Sequence, residues 1–281
     1  KSAEKYIGEE ERLWNVFTTQ ELPRSYYVGY RGDPNAAVCR YCGCDISAKY
    51  GSMYGWLRDG WEEPWKVQCP DCRRKFPSND FEGFYKLGID ESGNWSYALA
   101  KEKNAELVAN GEDGFLKNIL YPEKNTEVEP NWGVDDGYGY HTGRTYANGV
   151  EEVHTYIAYY NHWDVWYGGI VWDALATMRD AYLYTGDERY GRIGAILIDR
   201  VADVYPDMKI APYFPHFFNS DSTQPNGKVV GAIWETELSE QLAFAYDAFF
   251  PMMDDPQVIS FLSEKATQYN MKNAKDTPDK I

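Results

Sequence analysis

From residue 149 onward, apolar positions recur at helical spacing. Ile170, Ala174, Met178, Ala181 and Tyr182 share one face, and Ile193, Leu197, Val201 and Val204 share another. Between the two runs stands Thr185-Gly186-Asp187, in which Gly186 serves as a C-terminal stop and Asp187 as the next N-cap. Pro206 ends the second run. A third helix is predicted over residues 230–249, with Ile233, Leu242, Ala245, Tyr246 and Phe249 inward. Asp254-Asp255-Pro256 opens a fourth over 257–270. The acids that begin 151–160 predict a helix there as well.

The first half is less regular. Short helices are predicted over 9–17 and 98–110, the latter ended by Gly111. Residues 81–97 alternate loosely through Phe84, Leu87 and Ile89 before Gly93-Asn94, which reads as a small hairpin. Residues 121–148 lack periodicity. Their content (Trp132, Tyr138, Tyr140, His141, Arg144, Tyr146) favours an ordered cleft wall over disorder. Antiparallel helices on short turns, with long loops at one end, make an α/α hairpin array. Three regions are expected: an adaptor over 1–37, a zinc-knuckle and small β region over 38–97, and a helical domain over 98–281.

Two C-x-x-C pairs, Cys39-Arg-Tyr-Cys42 and Cys69-Pro-Asp-Cys72, interrupt the first half. Each presents two thiolates from a tight turn, and together they complete a tetrahedral shell for structural Zn2+. Two disulfides or free thiols are the alternatives. Cys44 is the odd one out and competes with Cys42, although C-x-x-C spacing favours Cys39 and Cys42. Arg40, Arg73 and Arg74 are expected to offset the thiolate charge. Such a site would staple residues 50–66, a loop whose Tyr54, Trp56, Trp61 and Trp65 either line a sugar cleft or pack inward.

The densest chemistry lies in Asn161-His162-Trp163-Asp164-Val165-Trp166-Tyr167. An amide, an imidazole, a carboxylate and three aromatic rings at the mouth of a helical hairpin suit a sugar. Twenty-four Tyr and 10 Trp point the same way, because flat apolar faces with polar handles fit pyranose rings. A formal charge of −16 excludes nucleic acid and anionic membranes as partners, since both need a basic surface. No apolar run approaches the length of a membrane span. The start at Lys1, with neither Met nor signal peptide, fits a processed or trimmed chain, and the polar tail 272–281 is an unconvincing domain end.

Three strings carry a resemblance: residues 172–190 (Trp-Asp-Ala-Leu-Ala-Thr-Met-Arg-Asp-Ala-Tyr-Leu-Tyr-Thr-Gly-Asp-Glu-Arg-Tyr), 199–206 (Asp-Arg-Val-Ala-Asp-Val-Tyr-Pro) and 231–247 (Gly-Ala-Ile-Trp-Glu-Thr-Glu-Leu-Ser-Glu-Gln-Leu-Ala-Phe-Ala-Tyr-Asp). With Cys-Pro-Asp-Cys-Arg-Arg-Lys-Phe-Pro at 69–77, their order resembles the N-terminal part of heparinase II/III-like polysaccharide lyases of the alginate lyase type. The resemblance implies a mainly α chain forming an incomplete (α/α) toroid of antiparallel hairpins, behind a small zinc-knuckle and β-hairpin region. It further implies more toroid helices and β-sheet domains in the same protein, an anionic polysaccharide or oligosaccharide as substrate, and a secreted or periplasmic bacterial setting.

Such lyases cleave a uronate polymer by β-elimination: a donor neutralises the carboxylate, and Tyr or His moves the protons. Catalytic candidates are His162, His216 and His141. Substrate-binding candidates are Asn161, Trp163, Trp166, Tyr167, Arg144, Tyr140 and Trp234, each also able to serve in packing or structural pairing. His154 is expected inside a helix. Two other readings compete: an α/α-toroid hydrolase using Asp164 and Glu235 as acid and base, and a non-catalytic zinc-stapled carbohydrate-binding fragment.

Overall fold

The structure is a computed structural model that describes residues 2–16, 18, 21–29, 37–52, 54–146, 149, 151–208 and 233–281; of 207 and 233–235 only the backbone is described. The chain is largely helical with small antiparallel sheets. In the first half, helix α1 (Glu10–Val16) and the short α2 (Ile46–Tyr50) precede strands β1 (Leu57–Arg58), β2 (Val67–Gln68) and β3 (Lys75–Phe76). These pair antiparallel in the order β1-β2-β3, with Leu57 opposite Gln68 and Val67 opposite Phe76.

Residues 81–97 do not form the expected hairpin. Helix α3 (Phe81–Leu87) occupies the first part, capped by the Asp80 side chain, which accepts from Gly83 N. Phe81, Phe84 and Tyr85 sit at i, i+3 and i+4 and are all buried, so the core selected the helical period over the weak alternation. Only the turn survives, as an isolated bridge between Ile89 and Trp95. Helix α4 (Tyr97–Ala109) follows as expected, with Ser96 capping Leu99 N.

Two further expectations are corrected together. Strands β4 (Tyr140–Thr145) and β5 (Glu151–His154) pair across a bulge, Tyr140 opposite His154. The aperiodic stretch therefore contains a strand, and the acids at 151–152 open a strand rather than a helix. Glu152 is buried because Arg40 and His154 pair with it. His154 thus lies on a strand, and only α5 (Tyr156–Tyr160) is helical.

The second half is built on α6 (Ile170–Thr185), α7 (Glu188–Val204), α8 (Ile233–Phe249) and α9 (Pro256–Gln268). Gly186 closes α6 in the left-handed region and Asp187 caps α7, as the sequence indicated. Helix α7 touches α1, α6, α8 and α9 and is buried on nearly every side, which makes it the central helix of the bundle. At Gly194 a Cβ would stand 2.1 Å from Phe249 Cζ, so the glycine lets α8 close onto α7. Tyr246, expected inward, is 51% exposed, while Leu238 takes a buried place on that helix.

The N-terminal residues are woven into this bundle. Trp14 stacks on Tyr269 at 5.1 Å, with the buried Arg200 guanidinium 4.0 Å and Lys265 Nζ 5.0 Å from its ring centre. Tyr6 donates to Asp173 Oδ2 at 2.6 Å. Near the C-terminus, Lys275 Nζ lies 2.6 Å from Asp199 and 2.9 Å from Asp203, nearly all of it buried. One core cluster runs continuously from Ala3 to Leu262. Among the described residues no helix is long and apolar enough to cross a membrane.

Candidate functional site

The two cysteine pairs fold into matching turns. Cys39 N donates to Cys44 O and Gly43 N to Cys39 O; Cys69 N donates to Arg74 O and Arg73 N to Cys69 O. The fifth residue of each turn is left-handed, Gly43 at φ 72° and Arg73 at φ 60°. This curl points both sulfurs of each pair to one side. The four sulfurs of Cys39, Cys42, Cys69 and Cys72 lie within 4.8 Å of one another. The contacts Cys39–Cys72 and Cys42–Cys69 measure 3.8 and 3.9 Å, far beyond the roughly 2.05 Å of a disulfide.

A tetrahedron of sulfurs about 2.3 Å from a central ion has edges of about 3.8 Å, so the spacing suits a metal such as zinc. Burial pushes the Cys39 thiol far up and the Cys72 thiol up to about 11, so a bound cation would stabilise the thiolate form of both. Cys44 stands outside the cluster. Arg40 does not offset the sulfurs as expected; it is committed to Glu129 and Glu152, each at 3.1 Å. Arg74 lies over the ring of Tyr41. Of the loop 50–66, Trp56 and Trp65 are buried in the core, Trp65 also lining a cavity with Arg12 and Tyr85, and Trp61 lines a cleft with Asp164.

The segment Asn161–Trp166 is a π-helical turn that widens the end of α5, with Tyr167 N donating to His162 O at 2.7 Å. The wider turn splits its side chains between interior and surface. Asn161, His162 and Trp166 are fully buried; Trp163 and Tyr167 are partly exposed. Asn161 Nδ2 donates to Leu22 O and Pro23 O, and its Oδ1 has no partner among the described residues. Arg24 Nη2 stands 3.2 Å from His162 Nδ1. A guanidinium only donates, so Nδ1 accepts and the ring proton is assigned to Nε2, which has no acceptor among the described residues.

Burial, then the charges of Arg24 and Arg58, hold His162 well below the usual imidazole range, so it is neutral. Its ring is enclosed by Tyr26 at 4.6 Å, Trp163 at 4.7 Å and a parallel Tyr167 at 5.8 Å. Tyr167 Oη donates to Glu237 at 2.7 Å; burial and that carboxylate push its phenol up to about 12.

On the other side of the turn, Asp164 and Trp163 face a cleft of about 400 Å³ shared with Lys5, Tyr6, Arg58 and Trp61. Arg58 Nε lies 3.2 Å from Asp164 Oδ2 but off the N–H direction, while its Nη1 donates to Tyr159 Oη at 2.8 Å. Burial raises the Asp164 carboxyl to about 7 against the opposing pull of Arg58.

The other sequence candidates are elsewhere. His141 is exposed on β4 with Nδ1 2.9 Å from Glu151. Tyr140 is buried beside Trp132 and His154, and Arg144 binds Glu129 at 2.8 Å. Arg144 belongs to a charged network with Arg40, Glu129 and Glu152 behind the first cysteine turn, and His141 pairs separately with Glu151. His216 and the side chains of Trp234 and Glu235 lie outside the described residues. Sequence reasoning missed Arg24, Tyr26 and Arg58, which arrive from far along the chain and carry no local signal.

No protein-family model matches the chain, and the searches of curated proteins and of solved structures find no match to it.

Proposed function

We propose that this chain is part of a polysaccharide lyase that cleaves a uronic-acid polymer, alginate foremost, by β-elimination outside the bacterial cytoplasm. In this reading the cysteine cluster holds a structural zinc ion. Four protein ligands leave the ion no open position, so it fixes the loop 50–66 and takes no part in the reaction. The helices 170–268 form one part of an (α/α) toroid completed by further helices and β-sheet domains of the same protein.

One observation carries the catalytic reading: a neutral His162 set between Arg24 and the rings of Tyr26, Trp163 and Tyr167. β-Elimination begins with loss of a weakly acidic proton next to a carboxylate. Cationic and imidazole donors aimed at that carboxylate stabilise the developing dianion, and a Tyr or His carries the protons. Arg24 and His162 are suited to the first task, and Tyr167, whose phenol keeps its proton, to protonating the departing oxygen. His162 lies behind Trp163 and Tyr167, so substrate reaches it only when one of those rings swings aside.

Absorbance of the 4,5-unsaturated uronate product tests this, using this chain and a longer form on alginate, hyaluronate and heparan sulfate. Signal from both supports an active site within these residues. Signal from the longer form alone assigns the base to residues beyond Ile281. New reducing ends without absorbance overturn the lyase in favour of a hydrolase, and neither signal overturns the enzyme in favour of a binding fragment.

A further inference from the structure

The cleft beneath Asp164 does not include the buried His162, and its chemistry differs. Its two cations are already matched: Lys5 Nζ lies 2.9 Å from Asp173, and Arg58 Nε 3.2 Å from Asp164. Asp59 adds a third, exposed carboxylate at the rim. An incoming carboxylate would meet three others and no uncommitted cation within this lining. Hydroxyl groups meet the opposite situation, because they donate to carboxylate oxygens and accept from ammonium and guanidinium groups with no net charge to compensate.

The walls are aromatic and held in place. Arg12 covers one face of Trp61 at 3.7 Å, and the edge of Tyr6 meets Trp61 at 5.0 Å. Trp163 is anchored through its Nε1, which donates to Tyr26 O at 3.1 Å. The floor is cut down to backbone. A Cβ on Gly60 would stand 2.9 Å from Asp164 Cβ, and one on Gly169 would stand 2.2 Å from the Asp164 carbonyl. Asp164 is 7% exposed, and its Oδ2 has no hydrogen bond of good geometry among the described residues. The volume, about 400 Å³, falls in the range of small-molecule sites.

We infer that this cleft is a saccharide subsite that holds a pyranose ring by its hydroxyl groups and its apolar face, and that a carboxylate on the ring, where there is one, points away from the three lining acids and adds nothing to the grip. The inference rests on the carbohydrate reading above but not on β-elimination. The subsite grips a sugar of the polymer through the features common to neutral and acidic pyranoses, leaving carboxylate recognition to the neighbourhood of Arg24 and His162.

The test is tryptophan fluorescence titration of this chain with two pairs of tetrasaccharides. One pair is mannuronate and mannan, the other glucuronate and cellulose; the members of each pair share linkage and differ only at the carboxylate. The expected result is binding of both members of at least one pair, with dissociation constants agreeing within about threefold. Trp61→Ala weakens both members by about tenfold or more, a loss of one stacking surface, and Trp61→Phe restores much of it. Lys5→Met, at a half-exposed position that need not disturb folding, weakens both members equally.

Binding confined to the uronate members, or a Lys5→Met effect confined to them, overturns the inference by making the cleft a carboxylate site. Absence of binding by all four probes overturns it as well. Failure of the lyase reading shows instead as missing absorbance while these titrations persist.

Discussion

Replacing one buried cysteine should dismantle more than a metal site. The strands β1, β2 and β3 are two residues each, too short to stand without an external constraint. Their constraint is the sulfur cluster, whose 3.8 and 3.9 Å edges already match a tetrahedron around zinc, so the ion binds with little rearrangement. Structural zinc contributes about 10–16 kcal/mol of apparent binding energy in small domains, as much as the whole stability of an ordinary fold. Even a third of that, about 4 kcal/mol, lowers Tm by about 8–16 °C at roughly 2–4 °C per kcal/mol. The assay joins three readings: zinc per chain by atomic emission, Tm, and alkylation of the native protein. Wild type is expected to carry one zinc and to alkylate at Cys44 alone. Cys39→Ser and Cys69→Ser lose the metal and the stability; Cys44→Ser keeps both. A metal-free native protein that alkylates at all five cysteines, with a Tm indifferent to chelators, would refute the reasoning.

Three other outcomes are expected. Gly194→Ala puts a methyl into the ring of Phe249 and costs about 1–3 kcal/mol by overpacking, measured by urea unfolding; a neutral result would show that α8 is free to retreat from α7. Lys275→Met strands Asp199 and Asp203 beside each other in the core and costs about 3–5 kcal/mol, with Asp199→Asn in the same chain recovering part of it. His162 is neutral when folded but takes a proton below about 6.5 when unfolded, so the unfolded state binds more protons there and stability falls as pH falls below that value. His162→Gln should therefore flatten the stability–pH slope between pH 6.5 and 5 by up to about 1.4 kcal/mol per pH unit, and an unchanged slope would show the imidazole to be charged in the fold.

The parts legible in the sequence are those whose cause is local. The cysteine turns need only their own spacing, and the α6–α7 hairpin needs only a 3.6-residue apolar period with Gly186 and Asp187 between its arms. Helix α3 was also local, since Phe81, Phe84 and Tyr85 carry a helical period that the weaker alternation through Leu87 and Ile89 obscured. Strand β5 was not, because Glu152 is tolerated inside only through Arg40 and His154. The candidate site divides the same way. Asn161–Tyr167 stands out by composition, but the groups that set its charge, Arg24 and Arg58, are more than a hundred residues away. Which of its side chains face inward depends on a π turn that no apolar period reveals.

That π turn is, in effect, one residue too many. Each residue of a helix turns its successor by about 100°, so a single deletion between positions 161 and 166 would let α5 run on as an ordinary α-helix while swinging everything after the deletion by that angle. Side chains after the deletion, Trp166 in the core among them, would swing out of the places they now hold. The backbone would then be more regular and the chain worse at whatever it does. The π turn thus trades helical regularity for the division between its buried and exposed sides, and that division is what a shortened chain would lose first.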